Sequence, residues 1–124
     1  MKSNVIGWSD AKYRSWIVSL LRKGTLRYPP RNEVLREART EKKINPSSGR
    51  LAQHYKCAEC GGEFPMSMMV IDHIEPVVGK EGFTTWDNYI SRMFCPKENL
   101  QALCDNCHLV KSNKEKEQRN VYRK

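Results

Sequence analysis

The sequence predicts a small α+β domain, with a basic helical region over residues 1–52 and a metal-stapled module of short strands and a final helix over 53–124. Three observations lead there. Apolar residues recur at three/four spacing over 9–24, the period of a helix packed on one side. The stretch "VIDHIEP", residues 70–76, reads as a short strand carrying an acid and a histidine and ending at Pro76. Two C-x-x-C pairs, Cys57/Cys60 and Cys104/Cys107, offer four thiolates. A chain of 124 residues suits one domain better than two. Its core is modest, so a staple would help it hold together.

Taken in order, "SDAKYRSWIVSLLRKG" is the first helix. Ser9 or Asp10 caps it, Gly24 ends it, and Tyr13, Trp16, Ile17, Leu20 and Leu21 form a stripe expected to face the core. "RYPPRNEVLREARTEKK" reads as a turn and a second helix from about Asn32 to Lys43. That helix has a thin apolar face of Val34, Leu35 and Ala38, and Arg31, Arg36, Arg39, Lys42 and Lys43 make it strongly basic. "INPSSGR" is a turn by composition. "TTWDNYISRMF" suggests a short inserted helix with Trp86, Ile90 and Met93 packing inward. "DNCHLVKSNKEKEQRN" reads as a final helix that becomes purely charged and frays.

Charge is unevenly spread. The formal total is +8, yet residues 1–56 hold 13 Lys/Arg against 4 Asp/Glu, a net +9, and residues 57–124 hold 9 against 10, a net −1. The N-terminal part would therefore attract phosphate backbones or anionic lipid. No apolar run approaches the roughly 20 residues of a membrane span, and "MKSNVIGWSD" lacks the apolar stretch of a signal peptide. The expectation is a cytoplasmic protein with reduced thiols and no membrane partner. Five cysteines, an odd number, argue further against a disulfide framework.

The cysteine spacing points to a shared structural zinc. Two thiolates two residues apart can face one ion, and Gly61-Gly62 let the backbone fold round it. Cys95 lies outside both pairs and is expected to be a packed thiol, and His54 has no matching partner. An ordinary zinc ribbon keeps its pairs about 15–20 residues apart. Here 43 residues (61–103) separate Cys60 from Cys104, and the insert contains Asp72-His73. A histidine, His108, directly follows the second pair, where a zinc already given four sulfurs does not need it.

This combination of "CAEC", "DHIEP", "NLQALC" and "CDNCHLVKS" resembles the HNH endonuclease family in its zinc-stapled version. The match covers residues 57–112 with a variable loop inside. The basic N-terminal half, the "PP" turn and "INPSSGRLA" also look like small HNH proteins encoded by tailed bacteriophages. The resemblance implies a treble-clef-like ββα-metal module, with "MVIDHI" and "LQALC" as strands and a helix from about residue 106. It implies that His73 is the general base, that Asp72 and His108 hold a catalytic divalent ion, and that Asn99 ties the loop so that His73 points correctly. Asn88 competes for that last role. Magnesium is the expected ion, with manganese or nickel as alternatives. Double-stranded DNA is the implied partner, gripped by Arg31, Arg36, Arg39, Lys42, Lys43 and Lys111. Other phage DNA-processing proteins, in the cytoplasm of a bacterial host, are the further partners it suggests.

The chemistry is sensible without the family. Phosphodiester hydrolysis needs a water nucleophile, a base that is neutral near physiological pH, and a cation for the developing charge. One tension is local: adjacent strand residues point to opposite faces, so Asp72 and His73 share a site only where the strand bends or at its edge. Two rival classes compete. A non-catalytic zinc-stapled nucleic-acid-binding protein explains the charge and cysteines and leaves Asp72, His73 and His108 without a purpose. A zinc-held protein-interaction adaptor also ignores the charge.

Overall fold

The computed structural model describes residues 1–123. Helix α1 runs from Asp10 to Gly24, and the Ser9 hydroxyl accepts from the Lys12 N–H at 3.1 Å, satisfying one of the free donors of the first turn. A turn of 3-10 helix over Thr25–Arg27 leads to α2, Pro29–Glu37, which begins on proline, whose missing N–H costs nothing there.

The second helix stops six residues short of the expected Lys43. Arg39–Ile44 is instead strand β1, antiparallel to β2, Leu51–Lys56, which in turn pairs with β3, Glu63–Pro65. The N-terminal region is thus helical only through Glu37, and β2 runs across residue 52. The reason lies in "INPSSGR". The Gly49 N–H donates to the Asn45 carbonyl, the Asn45 N–H donates to the Arg50 carbonyl, and Gly49 adopts φ +70°, so the chain reverses and pairs with itself. Hairpin closure overrides the helix preference of a charged segment with a single apolar residue at its end.

A second sheet is a two-stranded antiparallel pair, β4 (Met69–His73) and β5 (Leu100–Cys104), in register from Met69↔Cys104 at one end to His73↔Leu100 at the other. Helix α3, Trp86–Met93, lies in the connection between them, and α4, Asp105–Arg123, follows β5 without a break. The core is small: Cys57, Met69, Ala102, Leu103 and Cys104 are buried together, with Ala38, Tyr55, Phe64, Ile71 and Cys107 around them. Helix α2 packs against β5, the Lys56 N–H donates to the Ala38 carbonyl, and Tyr28 donates to the Cys95 carbonyl while stacking edge-on against Phe94. These contacts fasten the N-terminal segment to the rest.

Two packing expectations are corrected. The α1 stripe is not core: none of its residues is buried, and Trp16 is 50% exposed, with Trp8 against its edge. On α3 the buried residues are Tyr89 and Met93, while Ile90 is exposed, because Tyr89 joins Phe83 and Trp86 in an aromatic cluster that turns the helix. Among the described residues no helix is long and apolar enough to cross a membrane.

Candidate functional site

The four paired cysteines converge. The sulfurs of Cys57, Cys60, Cys104 and Cys107 all lie within 4.8 Å of one another, and those of Cys60 and Cys104 are 4.0 Å apart. A tetrahedral ion with Zn–S bonds of about 2.3 Å sets its sulfurs a little under 4 Å apart, so the cluster fits a metal ion such as zinc. Local bonding explains the convergence. The Cys57 N–H donates to the Gly62 carbonyl and the Gly61 N–H to the Cys57 carbonyl, closing the knuckle, and the Ala58 N–H donates to Ala102 of β5, docking it beside the second pair. Gly61 sits at φ +73°, and a Cβ on Gly62 would meet the Phe64 ring at 2.8 Å, so neither position accepts another residue without strain. Burial pushes the Cys57 thiol up, but backbone N–H groups, that of Cys60 first, outweigh it and bring it down to about 6. The neighbouring Cys104 thiol, with burial, pushes Cys107 up to about 12. Four thiolates held in one small volume would repel one another, and a divalent cation removes that conflict.

At the other end of the β4–β5 pair lies a cavity of about 450 Å³ bordered by Asp72, His73 and His108. Because α4 starts at the cysteine end and runs back along the strands, His108 comes beside Asp72, with Nε2 and Oδ1 3.6 Å apart. The other Asp72 oxygen is held by Lys111 at 3.1 Å and by the Gln101 amide at 3.2 Å, Gln101 being its cross-strand partner. Lys111 also donates to the His73 carbonyl at 2.9 Å and pairs with Glu115 one turn along. Burial lowers the Lys111 pKa, but its bonds to Glu115 and Asp72 outweigh that and raise it above the ordinary 10.5.

Asp72 and His73 reach this cavity in different directions. Asp72 faces α4, whereas the His73 Nε2 lies 2.8 Å from the Met93 carbonyl at the end of α3. A carbonyl oxygen only accepts, so Nε2 carries a hydrogen, and in a neutral imidazole Nδ1 is then the acceptor. His73 is the last residue of β4, and the shared site lies at this strand edge, which resolves the alternation problem. Asn99 stands where β5 begins. Its side-chain oxygen accepts from the Glu75 N–H at 2.9 Å and its backbone carbonyl from the Ile74 N–H at 2.8 Å, tying down the chain just past His73. Asn88, the competitor for that role, instead lies in the first turn of α3, where its backbone N–H donates to the capping Thr85 hydroxyl and its side-chain amide to the Thr84 hydroxyl.

The remaining expected residues are dispersed. Arg31 and Arg36 lie on α2, while Arg39, Lys42 and Lys43 lie on β1. Lys43 is engaged by Glu63 at 2.5 Å, and Lys111 points into the site. His54 is buried, with Nδ1 2.9 Å from the Ala52 carbonyl, and Cys95 is buried away from the cluster. Three charged cavity-lining residues were not expected from the sequence: Arg22 of α1, and Glu115 and Arg119 of α4. For α4 a signal existed, since 108, 111, 115 and 119 follow three/four spacing and form one face. No protein-family model matches the chain, and neither does any curated protein or solved structure.

Proposed function

We propose that the protein is a metal-dependent endonuclease of the HNH class that hydrolyses phosphodiester bonds in double-stranded DNA, in the manner of small phage-encoded enzymes. One observation carries the reading: Asp72, His73 and His108, from a strand end and a helix, border one cavity, with the His73 ring oriented by its Nε2 on the Met93 carbonyl. Two antiparallel strands followed by a helix, with a tetracysteine cluster at the far end, support it. A non-catalytic nucleic-acid-binding protein would leave that convergence unexplained.

In this mechanism His73 Nδ1 takes a proton from a water as its oxygen bonds to phosphorus and one P–O ester bond breaks. Asn99 and Lys111 hold the backbone on either side of that proton transfer, through Glu75 and through the His73 carbonyl. Asp72 Oδ1 and His108 Nε2, 3.6 Å apart, lie within the span of two donors each about 2.1 Å from one ion. These two residues would hold a divalent ion, which would supply Lewis acidity for charge on the phosphate and the leaving oxygen. Gln101 and Lys111 occupy the second Asp72 oxygen, so the first is the one that would be available to hold such an ion.

The test is relaxation of supercoiled plasmid by zinc-loaded protein with added magnesium, manganese or nickel. Wild type is expected to cut, and Asp72→Asn and His108→Ala to need far more metal or to lose cutting. No cutting by wild type with any of the three ions would overturn the assignment.

A further inference from the structure

The cavity that Asp72 borders also carries groups that the hydrolytic scheme does not use. Arg22 comes from α1, Arg119 from α4 and Tyr89 from α3, and all three line the same cavity. The cavity's carboxylates do not hold the two arginines, since Asp72 pairs with His108 and Lys111, and Glu115 with Lys111. Neither guanidinium has an ion pair or side-chain hydrogen bond among the described residues. Tyr89 is 4% exposed, and its hydroxyl is a buried polar atom with no hydrogen-bond partner. Such orphans are rare, because an unmade bond costs about 1–3 kcal/mol.

We propose that Arg22, Arg119 and Tyr89 form an oxyanion subsite beside Asp72, His73 and His108 that receives a backbone phosphate of the bound nucleic acid. Two planar guanidinium forks offer only donors, the phenol can donate as well, and a ligand that accepts from all three is a phosphate. The phosphate gives the buried Tyr89 hydroxyl its partner through one water carried in with it. The subsite makes α1 part of the working site and not only of its electrostatic surroundings. Its choice of ligand rests on the nuclease reading, yet binding is measured apart from cutting.

The experiment uses the zinc-loaded full chain and a duplex oligonucleotide, with affinity read by fluorescence anisotropy over a range of salt and no added divalent ion. Arg22→Met and Arg119→Met are each expected to weaken binding about tenfold and to lower the slope of log affinity against log salt by about 1. Lys116→Met removes the same charge from an exposed position of α4 and is expected to cost less than about threefold. Losses in both arginine variants no greater than that of Lys116→Met would overturn the subsite. Arg22→Lys, which keeps the charge and loses the fork, retains the salt slope while weakening binding, and thereby separates recognition from misfolding. Tyr89→Phe is expected to melt at or above the wild-type temperature, since it deletes an unpaired buried hydroxyl, and to lose part of the stabilisation given by inorganic phosphate. An unchanged phosphate-dependent shift would remove Tyr89 from the subsite. If wild type never cuts but the arginine variants still lose affinity and salt slope, the subsite stands and the nuclease reading falls.

Discussion

The two ends of the β4–β5 pair are built on opposite principles. At the Met69↔Cys104 end, four chemically identical ligands meet where the core reaches the surface, with Cys57 and Cys104 buried and Cys60 exposed. At the His73↔Leu100 end, an acid, two histidines, a lysine and an amide meet at the edge of an open cavity. A closed set of like ligands stabilises a fold; a mixed set with open positions leaves room for water and substrate. Helix α4 serves both, placing Cys107 in the cluster and, one residue later, His108 in the cavity. On the proposed function, stability and reactivity are separated by the length of a five-residue strand, about 13 Å between its end residues.

Substitutions can break that comparison from either side, and the largest effect belongs to the closed end. Cys57→Ser or Cys104→Ser, or removal of the metal by a strong chelator, is expected to abolish the cooperative melt, because structural zinc supplies on the order of 10 kcal/mol to such small domains. Circular dichroism with zinc quantitation on the same sample reads this. A retained cooperative melt in the zinc-free variant would mean that the core holds without its staple. At the open end, Asn99→Ala is expected to cost about 1 kcal/mol of stability but to slow cutting about tenfold or more, since the loop past His73 loses its anchor. An equal loss in both readouts would make Asn99 merely structural.

Lys111→Met leaves the Asp72 and Glu115 carboxylates without their shared cation, and a loss of about 1–3 kcal/mol in denaturant unfolding is expected, with cysteine-bound zinc unchanged. The smallest effect belongs to the exposed Lys43–Glu63 pair. The Lys43 hydrogen bond holds the Glu63 carboxyl below its ordinary 4.5. Its contribution is therefore present above that ordinary value and fades as pH falls through the lower folded value. Lys43→Ala should flatten this part of the acid limb only slightly, and high salt should remove the difference.

The same contrast explains what the sequence made legible. The cysteine cluster follows from spacing alone, because C-x-x-C places two identical ligands on one turn and two such turns complete one coordination shell. The cap at Ser9, the helix following Cys104 and the turn at Asn45–Gly49 were legible for similarly local reasons. Residues Arg39–Ile44 were not: their charges carry neither a helical nor an alternating apolar pattern, and only the hairpin partner makes them a strand. The α1 stripe misled because amphipathicity shows that a face is apolar, not what covers it. Arg22 was invisible as a cavity residue, since nothing local to α1 says that its end lies beside a histidine some 50 residues along the chain.

The central claim, that one end holds the fold while the other does the chemistry, is tested most directly by purified His73→Ala. Plasmid nicking, zinc content and the thermal melt are to be measured on one preparation, beside wild type. The expected result is bound zinc and a wild-type melting profile with divalent-metal-dependent nicking reduced about 10²–10⁴-fold, the contribution of a positioned base. Undiminished nicking by that folded, zinc-loaded variant would contradict the assignment of His73 and with it the division of labour between the two ends.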